Sequence, residues 1–278
     1  CKAEGIKPII GLEAYVAPRG RLLKEGRQDS DYFHLTLLAQ NHQGYQNLMQ
    51  LTTLAHLEGF YYKPRIDLEI LAKYKAGLIV LSGCQRGEIP RAVANKTPKE
   101  AQEVLEKYLA IFGSENLFLE VQRNSRKPNP QEELLNSRLV ELARQNHLHV
   151  VATADCHYLS PEDSEAQDVL VCIGTGKIVA DADRLDMRSY DSSLKSPEKM
   201  RELFADMPEA VSNSLLVAEK CELKIDIDQR YFPQVEIPSG DTSDTYIRKL
   251  VLEKALPLYG VPALEGALVL PEDIKQRI

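Results

Sequence analysis

Short apolar segments and amphipathic segments take turns along the first two thirds of this chain. That alternation limits the folds open to it more than any other feature of its 278 residues. Pro8–Val16, His34–Ala39, Gly77–Ser82, Asn116–Gln122 and Leu148–Thr153 are brief, apolar, rich in β-branched residues and bounded by turn or polar residues, as buried strands are. Between them residues recur at helical spacing: Tyr45, Leu48, Met49, Thr52 and Ala55 in one stretch, Ala101, Val104, Leu105 and Tyr108 in another. The second stretch opens with Thr97, Pro98, Lys99 and Glu100: Thr97 caps free amides, Pro98 fits the first turn, and Glu100 reaches back to the cap. Ser160-Pro161-Glu162-Asp163 and Ser196-Pro197-Glu198 open helices in the same way. A connection long enough to hold a helix joins parallel neighbours, so the pattern predicts an α/β fold built on a parallel sheet or barrel. Five strands are too few to close a barrel alone. Either the sheet is open or strands precede Cys1.

The character changes near Cys221. Tyr231, Phe232, Pro233, Ile237, Pro238 and Gly240 stand in a stretch with few helical repeats, which predicts an extended connector. A new helix is expected from Asp241–Asp244 through Leu256, followed by the loop Pro257–Pro262, so the chain divides into residues 1–222 and 223–278. The first residue is Cys1 rather than Met, and Lys275–Ile278 fall inside a helical pattern; both ends read as cuts in a longer polypeptide. The 34 Lys and Arg against 41 Asp and Glu leave a net charge of −7, which excludes a basic coat. Any contact with nucleic acid is then a local patch or is made through metal. No apolar run approaches the ~18 residues that cross a bilayer, so no membrane partner is expected. The five cysteines Cys1, Cys84, Cys156, Cys172 and Cys221 are an odd, sparse set that suits a reducing cytoplasm.

Five residues at strand ends carry the chemistry. Asp155 and His157 follow the apolar run Val150–Thr153, and residues two apart on an extended chain face one side. They suit a zinc or manganese ion, or else Asp155 caps the next turn and His157 packs on Tyr158. Cys84 follows Leu78–Ser82 and is flanked by Gly83 and Gly87; it is a thiolate ligand or a small buried hydrophobe. Glu13 interrupts the apolar run Ile9–Val16, where a lone carboxylate costs several kcal/mol unless it meets a metal or a buried Arg or Lys. His34 opens its strand. His42 and His56 read as surface residues, and His147 and His149 lie at the opposite end of the last strand.

With these residues in view the sequence resembles a known family. Gly5–Pro18 (GIKPIIGLEAYVAP), Phe33–Leu51, Glu58–Asp67 (EGFYYKPRID), Leu81–Pro90 (LSGCQRGEIP) and Thr153–Leu159 (TADCHYL) are similar to the polymerase-and-histidinol-phosphatase (PHP) domain of bacterial replicative DNA polymerase III alpha subunits. Lys195–Cys221 and Tyr231–Pro238 resemble that family's passage into the polymerase palm. The resemblance implies a distorted seven-stranded β/α (TIM-like) barrel lacking its first strands, then the start of an α/β palm. It implies a cluster of up to three zinc or manganese ions, with Glu13, His34, Cys84, Asp155 and His157 matching ligand positions. Cys156, where an aliphatic residue is common in the family, is expected to face away from the pair beside it.

The activity so implied is a metal-dependent 3′–5′ exonuclease, in which clustered cations generate hydroxide and neutralise the phosphodiester. About four of the family's nine ligands would precede Cys1, so this stretch alone is expected to hydrolyse DNA poorly and not to extend a primer. Lys63, Arg65 and Arg86 are candidate phosphate contacts, or solvated surface charges. DNA synthesis from deoxynucleotides, with Mg²⁺, would belong to palm carboxylates beyond Ile278. Expected partners are DNA and replisome subunits: clamp, clamp loader and a proofreading exonuclease subunit. Two other readings stand beside this one: a PHP scaffold that docks such a subunit without catalysis, and a stand-alone PHP phosphatase.

Overall fold

The computed structural model describes residues 1–228, 230, 232 and 235–258. The chain forms two compact units, Cys1–Ile225 and Asp226–Ile278. Six strands make one sheet in the first unit: β1 (Gly11–Val16), β2 (Phe33–Ala39), β3 (Arg65–Ile66), β4 (Leu78–Leu81), β5 (Leu117–Gln122) and β6 (His149–Thr153). The helices are α1 (Gly26–Ser30), α2 (His42–Leu57), α3 (Leu68–Lys73), α4 (Glu88–Asn95), α5 (Pro98–Phe112), α6 (Pro130–Gln145), α7 (Ser164–Thr175), α8 (Pro197–Leu203) and α9 (Pro208–Lys220). The second unit contains α10 (Ser243–Leu258), in which Lys249 reaches back to Asp241, just before the helix, at 2.8 Å. Tyr231 and Pro233 of the expected connector, the loop from residue 259 to Pro262, and Lys275–Ile278 lie outside the described residues.

The sheet order is β3-β1-β2-β4-β5-β6. Helical connections give parallel neighbours where they were expected: β4 pairs with β5, and β5 with β6, through α4–α5 and α6. The expectation of an all-parallel sheet fails at β2, which runs antiparallel to both β1 and β4. The link from β1 to β2 contains only the five-residue α1, too short to cross the sheet, so the chain turns back beside itself. The sequence reading also missed β3, two residues paired parallel to β1. With it the sheet has six strands, one more than the five read from the sequence.

Both faces of the middle strands are covered, which explains their unbroken apolar runs. Leu117, Leu119 and Val121 of β5 join the main core with Leu105 and Leu139, while Phe118 packs with Ile79, Leu81, Val151 and Val217 beneath α9. Each such fully buried side chain contributes about 1.5–3 kcal/mol. Asn213 of α9 donates to the Val150 carbonyl at 2.7 Å, occupying the β6 edge. The capping residues act as read: Thr97 and Glu100 form a capping box on α5, Ser160 and Asp163 form another, and the Ser196 hydroxyl accepts from the Lys199 amide.

Candidate metal site

Glu13 and His34 meet because of strand register. Glu13 pairs with Thr36 across β1 and β2 and Tyr15 pairs with His34, so Glu13 and His34 are diagonal neighbours on one face. His34 Nδ1 stands 2.6 Å from Glu13 Oε1. This hydrogen bond holds the Glu13 carboxyl below its ordinary range. The Glu13 side chain is 52% exposed, so burial penalises it only in part, and its partner is an imidazole rather than a buried Arg or Lys.

Two glycines bring the third group in. Gly83 has φ +81°, and a Cβ there would lie 2.6 Å from the His34 carbonyl oxygen. Gly87 is bridged to His34, whose amide donates to the Arg86 carbonyl at 3.1 Å. The turn after β4 is thus pressed against β2 at His34, and Cys84 Sγ comes to 3.7 Å from His34 Nδ1. Burial pushes the Cys84 thiol up to about 11, aided by the carboxylates of Asp155, Glu120 and Glu13.

Asp155 and His157 come together by a route other than the one expected. β6 ends at Thr153 and Asp155 has φ +47°, so the chain is not extended there. The imidazole folds back instead, with Nδ1 2.7 Å from the Asp155 carbonyl and 3.8 Å from its carboxylate. Burial raises the Asp155 carboxyl, with His157 opposing and Glu13 adding to the rise. Cys156 Sγ points to the Ser193 carbonyl, 3.5 Å away.

All five side chains, with Arg86, line one cavity of about 360 Å³. Lys63 is exposed, lies over the Tyr15 ring and is absent from that lining. Arg65 corrects the sequence reading: it is 0% exposed and its guanidinium donates to four backbone carbonyls, so it has no surface to offer a phosphate. Arg86 stacks over Tyr32 at 5.3 Å on the cavity rim. His42 and His56 are exposed, and His149 stacks on Phe118.

Compared with known proteins, residues 1–124 match the PHP domain. That match takes in Glu13, His34 and Cys84. Across 95% of its length it is 42% identical to DNA polymerase III subunit alpha of Treponema pallidum, and across 91% it is 42% identical to that of Borreliella burgdorferi. Over 92% of its length it is 39% identical to the Thermus aquaticus subunit. It spans 21–23% of the length of these three relatives. Asp155 and His157 lie beyond the PHP match but within the similarity to the polymerase subunits.

Among the described residues no three His, Cys, Asp or Glu side chains stand in a ready ligand arrangement. Glu13 is instead bonded to His34, and His157 to the Asp155 backbone. The donor set nevertheless suits a metal. Two imidazoles, two carboxylates and a thiol are zinc or manganese donors. The 3.7 Å between Cys84 Sγ and His34 Nδ1 is close to the ~3.5 Å between sulfur and nitrogen ligands of one tetrahedral zinc. His34 Nε2, the other ring nitrogen, is buried with no hydrogen-bond partner among the described residues, at a cost of ~1–3 kcal/mol.

The sequence reading passed over Glu120, Asn124 and the wall formed by residues 185–192. Glu120 is buried on β5, accepts from Gln122 and Thr153, and has its Oε2 without a partner among the described residues; burial raises its carboxyl. Its signal was present, since Glu120 breaks the apolar run of β5 as Glu13 breaks that of β1.

Proposed function

We propose that this PHP domain belongs to the alpha subunit of a bacterial replicative DNA polymerase and hydrolyses the 3′ end of a DNA strand with the help of zinc or manganese. In the whole protein this reading places primer extension from deoxynucleotides, with Mg²⁺, in a palm beyond residue 278, working with clamp, clamp loader and proofreading partners. It also makes the six-stranded sheet the larger part of a seven-stranded PHP barrel. One observation supports the hydrolytic role most: Glu13, His34, Cys84, Asp155 and His157, from four separate chain segments, share one cavity with Arg86 at its rim.

Glu13, His34, Cys84, Asp155 and His157 would hold the ions. Bound there, the metal supplies a water acidic enough to act near neutral pH and charge to offset the phosphodiester. The protein's own part is to orient. Arg86 stands where a guanidinium can grip a phosphate oxygen. The Glu13–His34 bond and the folded-back His157 keep the imidazoles in place before any ion arrives. In the hydrolysis an O–P bond forms from water, the P–O3′ bond breaks, and the departing 3′ oxygen takes a proton.

A non-catalytic scaffold is the second reading, and the mutual pairing of the ligands favours it. Co²⁺ titration separates the two. A ligand site gives a thiolate-to-metal absorption band, proton release on binding, and loss of the band in Cys84→Ser, together with Mn²⁺-dependent shortening of a 5′-labelled single strand by the full-length subunit. Absence of the band and of proton uptake or release leaves the scaffold.

A further inference from the structure

The cavity extends well past the candidate ligands, to a wall whose chemistry is different. Between Thr175 at the end of α7 and Pro197 at the start of α8 the chain forms no helix or strand. Segments of that length without regular structure in a compact domain commonly belong to binding sites. This one is tied down at three places. The Asp191 amide donates to the Asn124 carbonyl at 2.6 Å and the Arg126 amide to the Ser189 carbonyl at 2.9 Å. The His157 amide donates to the Ser192 carbonyl at 2.8 Å, which anchors the wall directly beside a candidate ligand. Arg184 closes the third side through an ion pair with Asp168 of α7, both side chains almost fully enclosed.

So held, the segment presents Leu185, Met187 and Tyr190 to the cavity, and Tyr158 joins them. Apolar and aromatic groups beside a phosphate-handling centre suit a flat ring more than a sugar or a second phosphate. Asn124 lines the same space, is 7% exposed, and its Oδ1 has no hydrogen-bond partner among the described residues. Arg188 belongs to the lining but is engaged by Asp186 through two bonds, at 2.9 and 2.6 Å. The cavity volume of about 360 Å³ is at the small end of the range of roughly 300–1,000 Å³ for small-molecule sites, enough for one nucleotide and too little for a base pair.

We infer that Tyr158, Leu185, Met187 and Tyr190, with Asn124, form a nucleobase subsite that accepts the base of one unpaired terminal nucleotide. The inference rests on the hydrolytic reading above and adds a selectivity to it. A base must leave its stack to enter, so a frayed or mispaired end is admitted more readily than a paired one.

The test is binding rather than turnover. Affinities of the 278-residue chain for dAMP, 2-deoxyribose 5-phosphate, deoxyadenosine and inorganic phosphate are measured calorimetrically with Mn²⁺ present and absent. dAMP should bind at least ~5-fold more tightly than deoxyribose 5-phosphate, since stacking of one base contributes about 1–3 kcal/mol. Met187→Ala and Tyr190→Ala should each remove most of that advantage while changing deoxyribose 5-phosphate less than twofold. Equal affinities for the two phosphates, or variants that weaken both alike, overturn the subsite and leave the hydrolytic reading standing. Deoxyadenosine binding that responds to Met187→Ala, with no phosphate binding at all, keeps the subsite and sinks the hydrolytic reading. Binding of none of the four defeats both.

Discussion

Replacing Arg65 discriminates between a structural cation and a phosphate contact. Its Nε donates to Gly59 O at 3.1 Å, Nη1 to Asp29 O, and Nη2 to Arg21 O at 3.1 Å and Leu23 O at 2.8 Å. One guanidinium therefore gathers three carbonyls of the β1–β2 link and one from the turn after α2, with its Cζ 5.3 Å from the centre of the Tyr61 ring. Hydrogen bonds from a charged donor contribute ~1.5–3 kcal/mol each, so four at the low end amount to about 6 kcal/mol. Removing the group also relieves its desolvation, which offsets part of that sum. Arg65→Met keeps the length of the stem and is expected to lose about 3–5 kcal/mol, the usual result of breaking a buried charged network. In a unit of this size that lowers the thermal midpoint by roughly 10 °C. Urea and thermal unfolding give the stability, and Mn²⁺ and dAMP affinities are compared where both proteins are folded. Those affinities should agree within twofold. A variant as stable as the parent to within about 0.5 kcal/mol, with weakened phosphate binding, would refute the burial argument and restore Arg65 to the surface.

Three further outcomes follow from the geometry. Glu120 is buried, so its folded carboxyl holds a proton to higher pH than the unfolded one; its stabilising share is greatest below the ordinary value of ~4.3 and declines as pH rises through the folded value. Glu120→Gln should match the parent at about pH 4 and exceed it at about pH 8 in thermal unfolding, and a gain confined to the acid side contradicts this. Gly83→Ala places a Cβ against the His34 carbonyl at φ +81°; strain of ~1–3 kcal/mol should appear in unfolding, along with a weakened Co²⁺–thiolate band, and an unchanged band would show that Cys84 is not positioned by this contact. Asp168→Asn unfastens Arg184, so hydrogen exchange should rise across residues 177–188 while β4 and β5 remain protected.

What the sequence made legible and what it hid divide along a physical line. Glu13, His34 and Cys84 stand where an apolar strand pattern is broken or ended by a residue that can ligate, and a pattern of local period is visible in one sequence. The direction of β2 is not a local property. It depends on whether Ala17–Tyr32 crosses the sheet or turns back, and the buried Arg65, far along the chain, gathers that link by its carbonyls. Arg65 looked like a free cation because nothing in its neighbours announces four carbonyls from elsewhere.

The cavity wall makes the same point more sharply. Residues 185–192 have no period to read, and their position is decided by backbone bonds to Asn124, Arg126 and His157, each more than thirty residues away in the chain. Those bonds do two things at once: they build an apolar face, and they brace the loop that carries His157. A domain of this construction cannot change its nucleotide-facing wall without moving a candidate ligand. If ion binding reorients His157, the Ser192 carbonyl that accepts its amide must respond, and the wall with it. Base binding and metal binding should therefore be reciprocally coupled: dAMP should raise Mn²⁺ affinity by the same factor by which Mn²⁺ raises dAMP affinity, and the nucleobase share of that factor should vanish in Met187→Ala. A factor of one in the parent protein would mean that the two ends of the cavity act independently and that the His157–Ser192 bond is only a staple.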